Sequence, residues 1–179
     1  MLTTIAIVVV AAIAFVLVLA STKSDVFHVE RSTSIAAPPE RIFPFINDFH
    51  AWTAWSPYED KDPAMQRTYG PVTVGKGATY AWSGNSNVGV GRMSIADAVS
   101  PGKVHLDLEF DKPFRCRNTV EFTLETQGAE TRVTWCMRGP ANFVSKIMQV
   151  FMNMDHMVGR DFETGLARLK AVAERPTAA

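Results

Sequence analysis

The sequence predicts an α+β domain in which a long C-terminal helix covers one face of an antiparallel sheet, preceded by an N-terminal transmembrane helix. Three observations predict this class. Apolar and polar residues alternate over several stretches in the middle of the chain, apolar residues recur every three or four positions near its end, and an uncharged apolar run opens it. With 179 residues, the chain is long enough for one such domain and an appended segment.

The opening segment is an apolar run of nineteen residues without a charge, from Leu2 to Ala20. At about 1.5 Å per residue, a helix of this length just spans the hydrocarbon core of a bilayer. A cleaved signal peptide is the competing interpretation, because Val18 and Ala20 suit the positions before a cut after Ala20. However, no basic residue precedes the run, and the run is longer than a usual signal core. We therefore expect a single-pass membrane anchor over residues 1–22.

The segments around the soluble domain follow from this anchor. Residues 23–26 are expected to form a linker, residues 27–175 the folded domain, and residues 176–179 a tail. Lys23 and Arg31 follow the span and no basic residue precedes it, so the positive-inside rule favours a cytoplasmic soluble domain.

The composition argues against several partners and cofactors. Acidic and basic residues balance at 18 each, which gives no indication of a nucleic-acid partner, and no protein partner is indicated. The stretch GPVTVGKGATY resembles a phosphate-binding loop, but Gly77 stands where a Ser or Thr is needed, and a strand pattern follows instead of a helix. The two cysteines, Cys116 and Cys136, are expected on opposite faces of neighbouring strands, and no metal-ligand spacing appears. We expect neither a cofactor nor a metal.

The strands follow one another closely. A first strand is expected over residues 27–35, followed by a short helix that begins at the two prolines of AAPPERIFPFIND. Six further strands are expected near residues 65–70, 77–83, 88–98, 103–111, 114–126 and 130–138. The last two are expected to form a hairpin that turns at Gln127 and Gly128 and pairs Thr126 with Ala129. That register places the apolar sides of both strands on one face.

A sheet with one apolar face needs a cover, and the end of the chain supplies one. The pattern from Ala141 to about Glu174 predicts a single long helix, which Pro176 ends. Its apolar positions include Phe143, Ile147, Val150, Met154, Val158 and Phe162.

The order of elements resembles the SRPBCC superfamily, which contains the START-like and polyketide-cyclase-like helix-grip domains. The resemblance lies in the stretches VERSTSIAAPPERIFPFINDFHAWTAWSPYE, DPAMQRTYGPVTVGKGATYAWSGNSNVGVGRMSI and GRDFETGLARLKAVAE, and it covers about residues 27–174. It implies a curved sheet of about seven strands wrapped on the long helix around an apolar cavity. It is specific for the fold and not for the function, because the superfamily includes lipid carriers, hormone receptors, cyclases and aromatase components.

The candidate ligand-binding residues are those expected to face such a cavity. They are Arg31, Trp55, Tyr80, Trp82, Phe122, Trp135, Met154 and Asp161. An interior rich in aromatic and methionine side chains suits a flat or flexible apolar ligand. A filled hydrophobic core is the alternative explanation of the same residues.

Asp161 is the most informative of these residues. It follows Phe143 by eighteen positions, or five helical turns, and so lies within the apolar stripe of the helix. A carboxylate that faces a core needs a partner, or its pKa rises. Arg31 is a possible partner, because it shares a strand face with Phe27 and Val29. Asp161 is otherwise expected to meet a ligand hydroxyl or to act as an acid or base.

The sequence therefore predicts a membrane-anchored carrier or sensor that binds an apolar small molecule or lipid. Two alternatives stay open: a cyclase- or dehydratase-type enzyme with Asp161 as acid or base, and a packed structural or regulatory module without a ligand. No nucleophile, histidine and acid can be assembled into a set, so no catalytic residue is assigned.

Overall fold

The computed structural model describes residues 1–141, 143–151 and 153–176. It confirms the α+β helix-grip fold, with a seven-stranded antiparallel sheet packed on a long C-terminal helix. The α-helices of the described residues are α1 (Leu2–Ser21), α2 (Pro39–Asn47), α3 (Tyr58–Lys61), α4 (Phe143–Phe151) and α5 (Met154–Ala173). The strands are β1 (Val26–Ile35), β2 (Gln66–Tyr69), β3 (Thr79–Ser83), β4 (Val90–Val99), β5 (Lys103–Lys112), β6 (Cys116–Gln127) and β7 (Glu130–Pro140).

The sheet has the order β1-β7-β6-β5-β4-β3-β2, so the first strand closes one edge beside the last. The expected hairpin register between β6 and β7 is wrong by two residues, because Thr126 pairs with Thr131 and not with Ala129. Gly128 is the first turn residue, at a φ of +66° that suits glycine and few other residues. Since a shift of two residues preserves the alternation of faces, the apolar sides still coincide, as in the pair Phe122 and Trp135.

The single helix expected from Ala141 is also wrong, because the segment forms two helices, α4 and α5. Asn153 lies between them with an extended backbone and caps α5: its side-chain oxygen accepts a hydrogen bond from the His156 amide at 3.0 Å. The three- and four-residue apolar spacing continues on both sides of this cap. The pattern therefore does not show the break.

The core is centred on the crossing of α5 and the sheet. Phe162, Leu166 and Leu169 of α5 are at most 2 % exposed. The Phe162 ring stacks on Trp135 of β7, with ring centroids 4.0 Å apart and planes 8° from parallel. Trp55 and Phe122 each pack against Trp135 at centroid distances of 5.5 and 5.0 Å. These aromatic contacts fix where the helix crosses the sheet.

Helix α1 stands apart from this core. Its partly or fully buried side chains are Val16, Leu19 and Ala20, near its C-terminal end, where it packs against α4. The other described side chains of the helix are exposed, and most of them are apolar. By length and composition, residues Thr3–Ser21 suit either a membrane span or a signal sequence.

Gly165 provides a test of the helix crossing. A Cβ added there would lie 2.8 Å from the Trp135 ring and 3.0 Å from Pro57. In an exposed helix, Gly→Ala stabilises by about 1 kcal/mol. Here we expect Gly165→Ala to lower the free energy of unfolding by about 1–3 kcal/mol, because the added methyl group overpacks the core. Urea unfolding in mild detergent measures the change. The control is Thr164→Ala at the neighbouring exposed position, which should be nearly neutral, and a stabilised Gly165→Ala would contradict the close packing.

Candidate ligand-binding cavity

A cavity of about 610 Å³ lies between the inner face of the sheet and the helices α3, α4 and α5. Its volume falls within the roughly 300–1,000 Å³ of small-molecule sites. The cavity exists because only the C-terminal half of α5 is fully packed on the sheet. Phe162 closes the cavity at that end, whereas Met154, Met157 and Val158, from the first turns of α5, line it and are only partly buried or exposed.

The wall of the cavity is mainly apolar. Its aromatic members include Tyr80, Trp82, Phe110, Trp135 and Phe162. Among the residues that the structure describes, the methionines of the wall are Met65, Met93, Met137, Met154 and Met157. Methionine is unbranched and polarizable, so five methionines give the wall a shape that can adapt to its occupant. The rings of Tyr80 and Trp82 stack on each other at 5.9 Å and form a flat section of the wall.

A polar corner interrupts this wall where α3 meets α5. The Lys61 ammonium donates a hydrogen bond to Asp161 Oδ2 at 2.6 Å, and both side chains are largely shielded from solvent. The same ammonium lies 5.3 Å from the centroid of the Tyr58 ring. All three residues line the cavity. The corner therefore places one cation, one anion and one phenol within reach of a ligand.

The two cavity tyrosines are held in their neutral form. Burial, and secondarily the negative charge of Asp161, raises the pKa of Tyr58 above its ordinary value. Burial, and secondarily the charge of Glu59, raises the pKa of Tyr80 in the same way. Each phenol is therefore a hydrogen-bond donor at physiological pH, and neither can serve as a phenolate base there.

The short helix α3 places this corner because its neighbours are fixed by hydrogen bonds. Glu59 accepts a hydrogen bond from Arg67 Nε of β2 at 2.9 Å. Asp62, directly after α3, is buried and accepts hydrogen bonds from the backbone amides of Asn85 and Ala64 at 2.7 and 3.2 Å. The charges of the stretch YEDKDP are typical of a solvated loop. Instead it is anchored at both ends, and its Lys61 is turned towards α5.

Comparison with known proteins agrees with this architecture. Residues 26–174 match the family described as "Polyketide cyclase / dehydrase and lipid transport". The chain belongs to this family. The matched residues begin after α1, so they comprise the sheet, the cavity and the helices that enclose it. No curated protein matches the sequence at a significant level.

Solved structures show the same fold at low sequence identity. Protein CV1439 from Chromobacterium violaceum has a TM-score of 0.60 at 13 % identity, over 85 % of this chain and 99 % of that chain. Protein Ms6760 from Mycobacterium smegmatis has a TM-score of 0.57 at 21 % identity, over 83 % and 96 %. The Aha1 dimer from Colwellia psychrerythraea has a TM-score of 0.57 at 15 % identity, over 85 % and 99 %. At these identities the likeness establishes the fold alone.

Within this family fold, the eight residues selected from the sequence take three kinds of position, and Arg31 alone takes the third. Five line the cavity, namely Tyr80, Trp82, Trp135, Met154 and Asp161. Trp55 and Phe122 lie behind the wall, at 1 % and 0 % exposure, in edge-to-face contact with each other. The indole nitrogen of Trp55 donates to the Phe45 carbonyl at 2.8 Å, so this side chain ties α2 to the core. Ligand contact by the five lining residues stays a prediction.

Arg31 takes part in a different interaction from the expected one. It donates to Glu163 Oε1 at 2.8 Å and to Asp155 Oδ2 at 3.0 Å, and so fastens β1 to α5. Asp155 and Glu163 are eight residues apart and share one face of the helix, whereas Asp161 projects from another. Strand parity predicts the inward direction of Arg31, but it does not identify which helix face it meets. Asp161 pairs with Lys61 instead.

Sequence reasoning also missed part of the lining. Lys61 gave no indication of its role, because it lies in a charged stretch and its partner is 100 residues away. The turn between β5 and β6, residues 113–115, borders the cavity together with Lys112, although Phe114 and Arg115 were expected to begin a strand. Its exposed Phe114, between two basic residues, was the one available indication.

The outer face of the sheet holds a separate cluster. His28, Glu30 and Cys136 bring one possible ligand atom each to within 4.8 Å of one another, since Glu30 pairs with Cys136 across β1 and β7. Burial raises the pKa of the Cys136 thiol, so little thiolate is available as a metal ligand. The Arg138 guanidinium, which hydrogen-bonds the same thiol, adds a positive charge beside the cluster. This arrangement disfavours a cation.

The Arg31 contact predicts an acid-sensitive contribution to stability. The Arg31 guanidinium holds the pKa of Asp155 below its usual range, so the contribution is present above about pH 4 and is lost as the pH falls. We expect Asp155→Asn to destabilise by about 1 kcal/mol or less at pH 7, since Asp155 is half exposed and solvent screens it. The loss should shrink towards zero at pH 3 in urea titrations.

Arg31→Met supplies the matched control for this prediction. The losses of unfolding free energy caused by Asp155→Asn and by Arg31→Met should not add in the double variant, because both substitutions remove the same Arg31–Asp155 ion pair. Full additivity, or a loss that is the same at every pH, would show that Asp155 acts independently of Arg31.

Proposed function

We propose that this chain is a membrane-anchored carrier or sensor that holds an apolar small molecule or lipid in its internal cavity. The observation that supports this most directly is the cavity of about 610 Å³ lined by aromatic and methionine side chains. The family to which the chain belongs includes lipid transport in its description, which agrees with a hydrophobic ligand.

Burial of apolar surface supplies the driving force for binding. Each Å² of apolar ligand surface removed from water contributes about 25 cal/mol, so a ligand that buries about 300 Å² gains about 7–8 kcal/mol before the cost of immobilisation. The occupant does not need to be rigid, because the methionine side chains can repack around it.

The polar corner defines one end of the ligand. Tyr58 offers a hydroxyl donor, and the Lys61–Asp161 pair offers both a donor and an acceptor without net charge. A neutral molecule with one hydroxyl or carbonyl group at an end of an apolar skeleton fits this arrangement. A ligand with a net charge would leave this partly shielded corner with an uncompensated charge, which is unfavourable.

The anchor gives this cavity a location. Helix α1 is long enough to span a bilayer, and its exposed apolar surface is unsuited to water. Tethering the cavity beside the membrane raises its effective concentration towards ligands that dissolve in lipid. The side of the membrane on which the domain lies stays a prediction from Lys23 and the positive-inside rule.

An enzyme of the cyclase or dehydratase type is the second candidate. It is favoured by the position of Asp161 at the cavity wall beside the Tyr58 ring. Against it, the Lys61 ammonium donates a hydrogen bond to Asp161 Oδ2 at 2.6 Å. This hydrogen bond must break before Oδ2 can accept a proton from a substrate. The open cavity argues against the third alternative, a module with a filled interior.

The cavity can be tested by filling it. Met93 of β4 faces the cavity, and Met93→Trp should reduce ligand occupancy at least about tenfold, the effect of about 1.4 kcal/mol in binding. The full chain is purified in mild detergent, and extracted small molecules are identified and quantified per protein by mass spectrometry.

The control for this filling is Thr119→Trp, which adds the same side chain to the exposed outer face of β6. Both variants should keep the circular dichroism spectrum of the wild type. If Met93→Trp retains a full complement of ligand, the cavity is not the binding site.

Asp161→Asn separates a carrier from an enzyme. The amide keeps the size of the side chain and removes its charge, so a carrier should co-purify with the same compound as the wild type. In an enzyme that needs this carboxylate, the variant should retain unconverted substrate, which in a dehydratase differs from the product by one water. High-resolution mass spectrometry of the two extracts distinguishes these results.

A further inference from the structure

The opening of the cavity is bordered by two elements that expose apolar side chains to solvent. One is the turn between β5 and β6, where Phe114 is 56 % exposed. The other is α4 with the start of α5, where Phe151 is 71 % and Met157 43 % exposed. Of these side chains, Phe114 and Met157 line the cavity, so two elements expose apolar groups at one opening and form a patch of the kind that marks a binding surface.

The same opening adjoins the helix that suits a membrane span. Helix α1 packs against α4 through its C-terminal turns. Lys146 of α4, mostly buried, forms an ion pair with Asp25, and the Asp25 carbonyl accepts a hydrogen bond from the Ala141 amide at 2.8 Å. These contacts hold α4 beside the end of α1. If α1 spans a bilayer, α4 therefore lies at the level of the lipid headgroups.

The charge of the turn complements an anionic membrane. Lys112 and Arg115 flank Phe114 and its neighbour Pro113, and all four residues line the opening. Within the described part of the chain, neither basic side chain has an acidic partner. An aromatic residue between two basic residues is suited to an interface, since the ring enters the acyl boundary while the charges meet phosphate groups.

We infer that this rim, defined as Lys112, Phe114, Arg115 and Met157, is a docking surface for a bilayer that contains anionic lipid. The rim lies flat on the leaflet, so that the cavity opens towards the acyl chains and an apolar ligand moves between lipid and cavity without crossing water. The inference rests on the proposed function, because it takes α1 as the anchor and the cavity as the ligand site.

The depth of Phe114 in the bilayer provides the test. The four native tryptophans are all buried, so their fluorescence is a common background. Full-length Phe114→Trp is reconstituted into vesicles of phosphatidylcholine and phosphatidylglycerol with brominated acyl chains, which quench nearby indoles. We expect about half or more of the fluorescence added at position 114 to be quenched, because docked side chains lie about 5–10 Å into the headgroup–acyl boundary.

The matched control is Gln127→Trp, at the exposed end of β6 that lies farthest from Phe114 along the strand. Its added fluorescence should not be quenched by brominated lipid. Equal quenching at positions 114 and 127 would mean that the domain has no fixed orientation on the membrane. An unquenched indole at position 114 would mean that the rim lies in water or on a protein partner. Either result overturns the inference.

The charge of the rim is tested in the same vesicles. Adding Lys112→Gln and Arg115→Gln to Phe114→Trp should reduce quenching in phosphatidylglycerol-containing vesicles and have less effect in phosphatidylcholine alone, because the lost attraction is electrostatic. An equal effect in both lipids would overturn the role of anionic lipid.

None of these measurements needs an occupied cavity. A chain that docks but carries no ligand would contradict the proposed function only, and a chain that carries ligand without docking would contradict this inference only.

Discussion

The stacking of Phe162 on Trp135 is the contact on which the rest of the domain depends. It joins the middle of α5 to β7, and Trp55 and Phe122 surround it, so the crossing point of helix and sheet is fixed by interlocked rings. On the C-terminal side of this point, Leu166, Leu169 and α2 fill the interior. On the N-terminal side the helix leaves the sheet, and the space between them is the cavity. One crossing therefore divides the interior into a packed half that supplies stability and an open half that is available to a ligand.

The polar residues of the interior follow the same division. In the open half, Lys61 and Asp161 neutralise each other at the wall, which avoids the cost of an unpaired buried charge while leaving donors and acceptors accessible. Arg31 serves a different purpose, because its two carboxylate partners fasten the first turns of α5 to β1 at the outer side of the cavity. Without such a tie, the part of the helix that lacks sheet contacts would be held only by its continuity with the packed half.

The features that could be predicted from the sequence are those that depend on local periodicity. Alternation in β5, β6 and β7 predicted the sheet, and three- and four-residue spacing predicted the helical cover, because burial of one face imposes these periods. The inward direction of Tyr80, Trp82 and Trp135 followed from the same parity. The partner of Asp161 could not be predicted, since it depends on how α3 and α5 meet in space. The break at Asn153 was missed because its apolar neighbours keep the helical spacing. Phe122 was assigned to the cavity because the direction of a side chain alone does not distinguish a wall from the core behind it.

The position of α4 has a consequence for how this family could diversify. Helix α4 packs against α1 and borders the opening, while the buried residues of α5 and the sheet hold the core together. Substitutions in α4 or in the turn between β5 and β6 therefore change the entrance without changing the contacts that set the folding free energy. Related chains can differ in the residues around this opening at little cost to the free energy of unfolding, because the packing of α5 on the sheet is left unchanged.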